Sequence, residues 1–145
     1  MGHFNVDQFK DRETIAALLG SPGRWAVVGL SNNTLRPAFR VAKYLQEKLG
    51  MEIVPVNPKG EEVHGAQGYT QLAEIPGSID VVDCFVNSER VGAIVDQAIE
   101  IGARAVWLQL GVVDEAAAQR ATAAGLSVVM DTCPAIEAPL IGLGQ

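Results

Sequence analysis

The chain is 145 residues long, with 48% hydrophobic and 19% charged residues and a formal net charge of −6. That length suits one domain spanning residues 1–145 that buries roughly 70% of its unfolded surface, and that composition excludes disorder as the default state. The acidic balance argues against general nucleic-acid binding, which depends on a basic footprint, yet two or three cations suffice for a local pocket around a phosphorylated ligand.

The N-terminal MGHFNVDQFKDRE lacks a basic region followed by an apolar stretch, so no secretory signal is expected. The longest apolar run, Leu108 to Val113, is broken by Gln109 and Gly111 and falls far short of a membrane span. A cytoplasmic protein without membrane association is therefore expected. Cys84 and Cys133 are too few and too far apart for a disulfide scaffold or a zinc site, and no metal is expected.

In chain order, the pattern predicts a helix from about Asp11 to Leu19, capped by Asp11, packed on the domain and stopped by Gly20-Ser21-Pro22-Gly23. Trp25 to Gly29 is a continuous apolar run, the signature of a strand buried on both faces. Pro37 then suits the first turn of a helix whose stripe is Val41, Ala42, Leu45 and Leu49, ended by Gly50. Strand two is Met51 to Val56, and a short helix follows at Thr70 to Glu74. Strand three is Ile79 to Val86. A helix capped by Ser88 and ended by Gly102 leads to strand four, Ala105 to Leu110. Asp114 caps an alanine-rich helix, Glu115 to Ala124, and strand five is Ser127 to Met130. Five buried strands separated by connections of this kind require parallel pairing with right-handed crossovers. The expected fold is a three-layer, Rossmann-like, doubly wound α/β sheet with strand order 3-2-1-4-5.

Open parallel sheets bind ligands beyond the carboxyl ends of their strands, where the strand order reverses. The segments there are Gly29-Leu30-Ser31-Asn32-Asn33-Thr34-Leu35-Arg36-Pro37, Asn57-Pro58-Lys59, Phe85-Val86-Asn87, Gln109-Leu110-Gly111 and Asp131-Thr132-Cys133-Pro134. Gly29 permits a tight turn, and the helix after it offers free N–H groups and a positive dipole end to a phosphate. Arg36 and Arg40 flank that helix start. Of the dinucleotide-fold glycine fingerprint only Gly29 survives, with Ser31 and Thr34 at the other two places. The acidic residue that would bind NAD ribose hydroxyls is replaced by Asn57-Pro58-Lys59. Lys59 favours a ligand with an extra phosphate on its ribose. NADP and coenzyme A both have one.

The stretches VVGLSNNTLRPAFRVAKYL, IVPVNPKGEEVHG, TQLAEIP, IDVVDCFVNSE, AVWLQLGV and VVMDTCPAIE resemble, in the same order, the small stand-alone CoA-binding proteins, whose fold is related to the CoA-binding domain of the succinyl-CoA synthetase α subunit. The resemblance implies a Rossmann-type domain holding CoA across the strand ends. Gly29, Ser31, Arg36 and Pro37 would line the phosphates, with Asn32 in the same loop and Arg40 one turn on. Asn57, Pro58 and Lys59 would meet the 3′-phosphorylated adenosine, Phe85, Val86 and Asn87 would pack on the nucleotide, and Gln109 and Gly111 would lie nearer the pantetheine arm. The family often has arginine where this chain has Val86 and Thr132, a loss of cations for which Arg90 or Arg40 could substitute.

No nucleophile–base motif emerges, and no catalytic activity is expected. His3 and His64 have no carboxylate or nucleophile beside them in the sequence. The synthetase relatives use a phosphorylated histidine from a second domain, which is not expected in a chain of this length. Asp83 and Asp131 form a conceivable carboxylate pair, although hydrogen bonding to loop backbone is the commoner role for an aspartate at a strand end. Cys133 falls on the ligand-bearing edge, where a CoA thiol can approach it; Cys84, within strand three, reads as core. Trp25 and Trp107, on neighbouring strands in the expected order, read as core or rim. Three readings remain: a CoA- or acyl-CoA-binding module acting as carrier, sensor or partner of an acyl-CoA enzyme; a small NADP-dependent oxidoreductase; and a relict Rossmann domain that binds another protein.

Overall fold

The computed structural model describes residues 4–144. Its strands are β1 (Arg24–Val28), β2 (Glu52–Val56), β3 (Val81–Cys84), β4 (Ala105–Leu108) and β5 (Ser127–Met130), all parallel in one sheet. The helices are α1 (Arg12–Leu19), α2 (Pro37–Lys48), α3 (Ser88–Glu100), α4 (Glu115–Ala123) and α5 (Pro134–Leu140), with single 3₁₀ turns at Val6–Phe9 and Leu72–Glu74. Among the described residues no helix is long and apolar enough to cross a membrane.

Every residue of β3 and β4 is buried, because helices cover both faces of the sheet. Ile15 and Leu19 of α1, Val41, Ala42 and Leu45 of α2, and Ala138 of α5 pack with Trp25, Val27 and Trp107 on one face. Val91, Val95 and Ala98 of α3 and Ala117, Ala118 and Ala121 of α4 pack with Val82, Val106 and Val128 on the other. Three layers result, as the alternation of apolar runs predicts. Burying each large aliphatic side chain in these layers contributes about 1.5–3 kcal/mol.

The strand order, counted along the chain, is 2-1-3-4-5 rather than the expected 3-2-1-4-5. β3 does not lie outside β2. It pairs with the other side of β1, with Trp25 opposite Val81 and Val28 opposite Cys84. Pro55 supplies the physical reason. Its carbonyl faces outward and accepts from the Tyr69 N–H at 2.9 Å, so its missing N–H faces the same way. A strand docked there would lose a ladder bond, and proline within a sheet belongs on an edge. The reversal of strand order therefore falls between β1 and β3.

Smaller differences follow local chemistry. The Asn87 side chain, not that of Ser88, caps α3 by accepting from the Arg90 N–H at 3.0 Å. The expected helix at Thr70 to Glu74 is only the turn Leu72–Glu74, and α5 was not anticipated. Trp25 and Trp107 are core residues, their ring centroids 5.7 Å apart, although β3 runs between their strands. The Trp107 Nε1–H donates to the Thr132 carbonyl at 2.8 Å. His3 lies outside the described residues.

Asp83, in register between Val27 and Trp107, is fully buried, and among the described residues neither carboxylate oxygen has a hydrogen-bond partner. Burial pushes its pKa well above the usual carboxylate value. Between the unfolded and folded pKa values the folded state holds a proton that the unfolded chain releases. Stability is thus greatest below the unfolded pKa and falls as pH rises towards the folded pKa, by about 1.4 kcal/mol per pH unit. Urea unfolding at a series of pH values from 4 to 8 is expected to show this slope in the parent protein and a shallower one in Asp83→Asn. Identical slopes would contradict it.

Candidate functional site

The site forms where β1 and β3 part company. Gly29 follows β1 with φ +98°, and its N–H donates to Val56 O at 2.9 Å while the Phe85 N–H donates to Val28 O at 2.9 Å. A Cβ at position 29 would sit 2.5 Å from the Phe85 carbonyl oxygen and 3.1 Å from its Cβ. Only glycine allows the loop after β1 to pass this close to the end of β3.

That loop folds on itself. The Ser31 Oγ accepts from the Asn33 N–H at 3.2 Å, and the Asn33 Oδ1 accepts from the Leu35 N–H at 3.1 Å. It delivers the chain to α2, whose N-cap Arg36 gives no side-chain hydrogen bond and whose first turn has no acidic residue. Asp11, Asn87 and Asp114 cap α1, α3 and α4 with side-chain acceptors. The positive end of α2 is thus left without an internal anion. Among the described residues, Arg36, Arg40 and Lys59 form no salt bridge, as is also true of Arg12, Lys43, Lys48 and Arg90.

Two cavities flank the loop. The larger, about 640 Å³, receives Gly29, Arg36, Pro37, Arg40, Phe85 and Gln109, all expected site residues. The smaller, about 380 Å³, receives Ser31, Asn57, Pro58 and Lys59, also expected, beside Asn33 and Glu61. Asn57 is buried and its side chain is fully engaged, donating to Leu30 O and Glu61 O and accepting from the Lys59 and Glu61 N–H groups. It fixes the loops more than it offers a contact.

Four expected residues line neither cavity. The Asn32 N–H donates to Glu61 Oε1 at 2.9 Å and its side chain to Glu62 O at 2.8 Å. Val86 packs against the α3 side of the core, and Asn87 caps α3. The Gly111 N–H donates to Asp131 Oδ1 at 2.7 Å. Asp131 also lies 3.6 Å from Lys10 Nζ, and Asp83 has no partner, so the two aspartates form no pair. The Thr132 hydroxyl donates to Glu137, and the His64 ring packs at a tilt against that of Phe39, with a ring nitrogen 2.7 Å from the Phe39 carbonyl oxygen. Both are structural contacts. Among the described residues no group of three His, Cys, Asp or Glu side chains is placed to hold a metal ion.

The larger cavity has further walls: Val41 and Tyr44 from α2, Leu110 and Val112 after β4, and Cys133, Ala135 and Ile136 at the start of α5. Tyr44 lies one helical turn beyond Arg40, so its place was readable from i, i+4 spacing. Ala135 and Ile136 depended on α5. Gln109 is 5% exposed, and its Oε1 has no hydrogen-bond partner among the described residues. A buried amide oxygen of this kind calls for a donor. The arrangement suits a ligand with an anionic portion and a long, weakly polar arm.

Residues 23–139 match the CoA binding domain family. The chain belongs to that family. It is 37% identical over 126 residues to the uncharacterized protein YneT of Bacillus subtilis, covering 87% of this chain and 93% of the relative. It is 34% identical over 86 residues to the alpha subunit of an ADP-forming acetate–CoA ligase II of Pyrococcus furiosus, covering 59% of this chain but only 19% of that subunit. Among solved structures, a hypothetical protein from Pyrococcus horikoshii OT3 superposes with a TM-score of 0.86 at 36% identity, over 97% of this chain and 98% of that one.

In this CoA binding domain Gly29→Ala is expected to destabilise the fold by about 1–3 kcal/mol from the unfavourable φ alone, and by more from the contact with Phe85. Denaturant midpoints measure this, and a midpoint equal to the parent's would remove the constraint.

Proposed function

We propose that this chain is a non-catalytic module that binds coenzyme A or an acyl-CoA at the carboxyl edge of its sheet. The observation that carries the reading is the uncapped, cation-flanked start of α2 lining one largely apolar cavity together with Gln109, whose buried amide oxygen has no partner among the described residues. Coenzyme A combines a phosphorylated adenosine, a diphosphate and a pantetheine arm with amide groups. The α2 N–H groups, Arg36 and Arg40 would hold the diphosphate. Lys59, exposed in the smaller cavity, would meet the 3′-phosphate, with Ser31 and Pro58 beside the nucleotide. Gly29 and Phe85 would carry the ligand across the strand ends, and Gln109 would accept from an amide N–H of the arm. Arg40 would take on charge that arginines at the positions of Val86 and Thr132 would otherwise supply.

In this reading the module serves as a carrier or sensor, or as the partner of an acyl-CoA enzyme. The ligase subunit's reaction is not carried over, since the matched stretch is 19% of its length. Membership of the family favours CoA over the NADP-dependent reductase and the relict domain, and one titration separates all three.

Calorimetric titration is expected to show micromolar or tighter CoA binding, weaker dephospho-CoA binding and none of NADP. Lys59→Ala should weaken CoA about tenfold, as for loss of a charge-assisted hydrogen bond, and leave dephospho-CoA unchanged. Heat from NADP, or no heat from any of the three, would overturn the reading.

A further inference from the structure

Two thiols lie in the described chain, and their surroundings differ. Cys84 is fully buried in β3, on the α3 face of the sheet, where burial and then the neighbouring Asp83 push its pKa far up. Cys133 is 8% exposed and belongs to the opposite layer, in the wall of the larger cavity between α2 and α5. A lone thiol would say little. Gln109 adds an independent sign of a ligand, because it lines the same cavity and its buried amide oxygen has no partner among the described residues. Arg36 and Arg40 stand along the same cavity, and Val41, Val112 and Ile136 supply apolar wall. One cavity is therefore lined by two cations at a helix start, an amide side chain with an unsatisfied oxygen, and a thiol.

We propose that this cavity brings the sulfur end of coenzyme A to Cys133, which exchanges with the disulfide form of CoA and holds it as a mixed disulfide. The inference rests on the CoA reading above and adds a covalent state to it. Cys133, as thiolate, attacks one sulfur of CoA disulfide. The CoA sulfur–sulfur bond breaks as the Cys133–CoA bond forms, and the other half leaves as a thiolate that takes up the proton Cys133 released. No net oxidation occurs, and a second thiol reverses the step. Holding the anionic end at Arg36 and Arg40 raises the local concentration of the disulfide at Cys133.

The test is intact-mass analysis of the full chain with CoA disulfide and with hydroxyethyl disulfide, followed by peptide mapping, beside calorimetry with reduced CoA. The expected result is a single CoA adduct on Cys133 that dithiothreitol removes. It should form at least about tenfold faster than the hydroxyethyl adduct, be slowed by excess reduced CoA, and be absent in Cys133→Ser. Equal rates with both disulfides, an adduct on Cys84, or no adduct in a protein that binds reduced CoA would overturn the exchange and leave CoA binding standing. Failure to bind reduced CoA would overturn both.

Discussion

The close passage of Gly29 over the end of β3 organises this molecule. β1 is hydrogen-bonded on both sides, to β2 and to β3, and the chain leaving it must clear the Phe85 backbone before turning into α2. A Cβ there would lie 2.5 Å from a carbonyl oxygen, so the turn exists only because position 29 has no side chain. The direction of α2 follows from that turn, and with it the site, because α2 brings its N-terminus, Arg36, Arg40 and Tyr44 to the larger cavity. The same crossing marks the reversal of strand order, where parallel sheets open a crevice.

Electrostatics at this edge run against the net charge of the chain. The protein has a net charge of −6, yet α2 begins without an acidic residue or a side-chain cap, and Arg36, Arg40 and Lys59 have no carboxylate partners among the described residues. An acidic residue at such a helix start would typically stabilise it by about 0.3–1 kcal/mol, and this chain leaves that contribution open to a ligand. Glu61 is the local exception. Its carboxylate accepts from the Asn32 N–H, so one donor of the loop is held internally, and the proposed anion contact is left to the α2 end. Gln109 extends the same logic to a neutral group, since its amide oxygen is the buried acceptor of the larger cavity that the fold itself does not satisfy.

Much of this was legible in the sequence because the signals were local. Runs such as Trp25 to Val28 and Ser127 to Met130 showed buried strands, and Pro37 and Asp114 marked helix starts where α2 and α4 begin. Ten of the fourteen expected site residues line one of the two cavities: six with the larger and four with the smaller. What was misread depended on long-range pairing. Placing β3 required knowing that Pro55 turns its missing N–H outward, which proline alone in a sequence does not reveal. Asn32, Val86, Asn87 and Gly111 sit at the right strand ends, but hydrogen bonds and packing direct them to Glu61 and Glu62, the α3-side core, the α3 N-terminus and Asp131 respectively. The short α5 has Pro139 within its seven residues, which hid both the helix and the cavity wall it supplies.

The most direct test of the account is the backbone amide spectrum of isotopically labelled protein as reduced CoA is added. The account predicts that shifts concentrate at Gly29 to Ala38, Lys59 and Gly60, Phe85, Gln109 and Leu110, and Cys133 to Ile136, while α1 and the far ends of the strands stay fixed. Shifts centred on another surface, or an unchanged spectrum at saturating CoA, would contradict it.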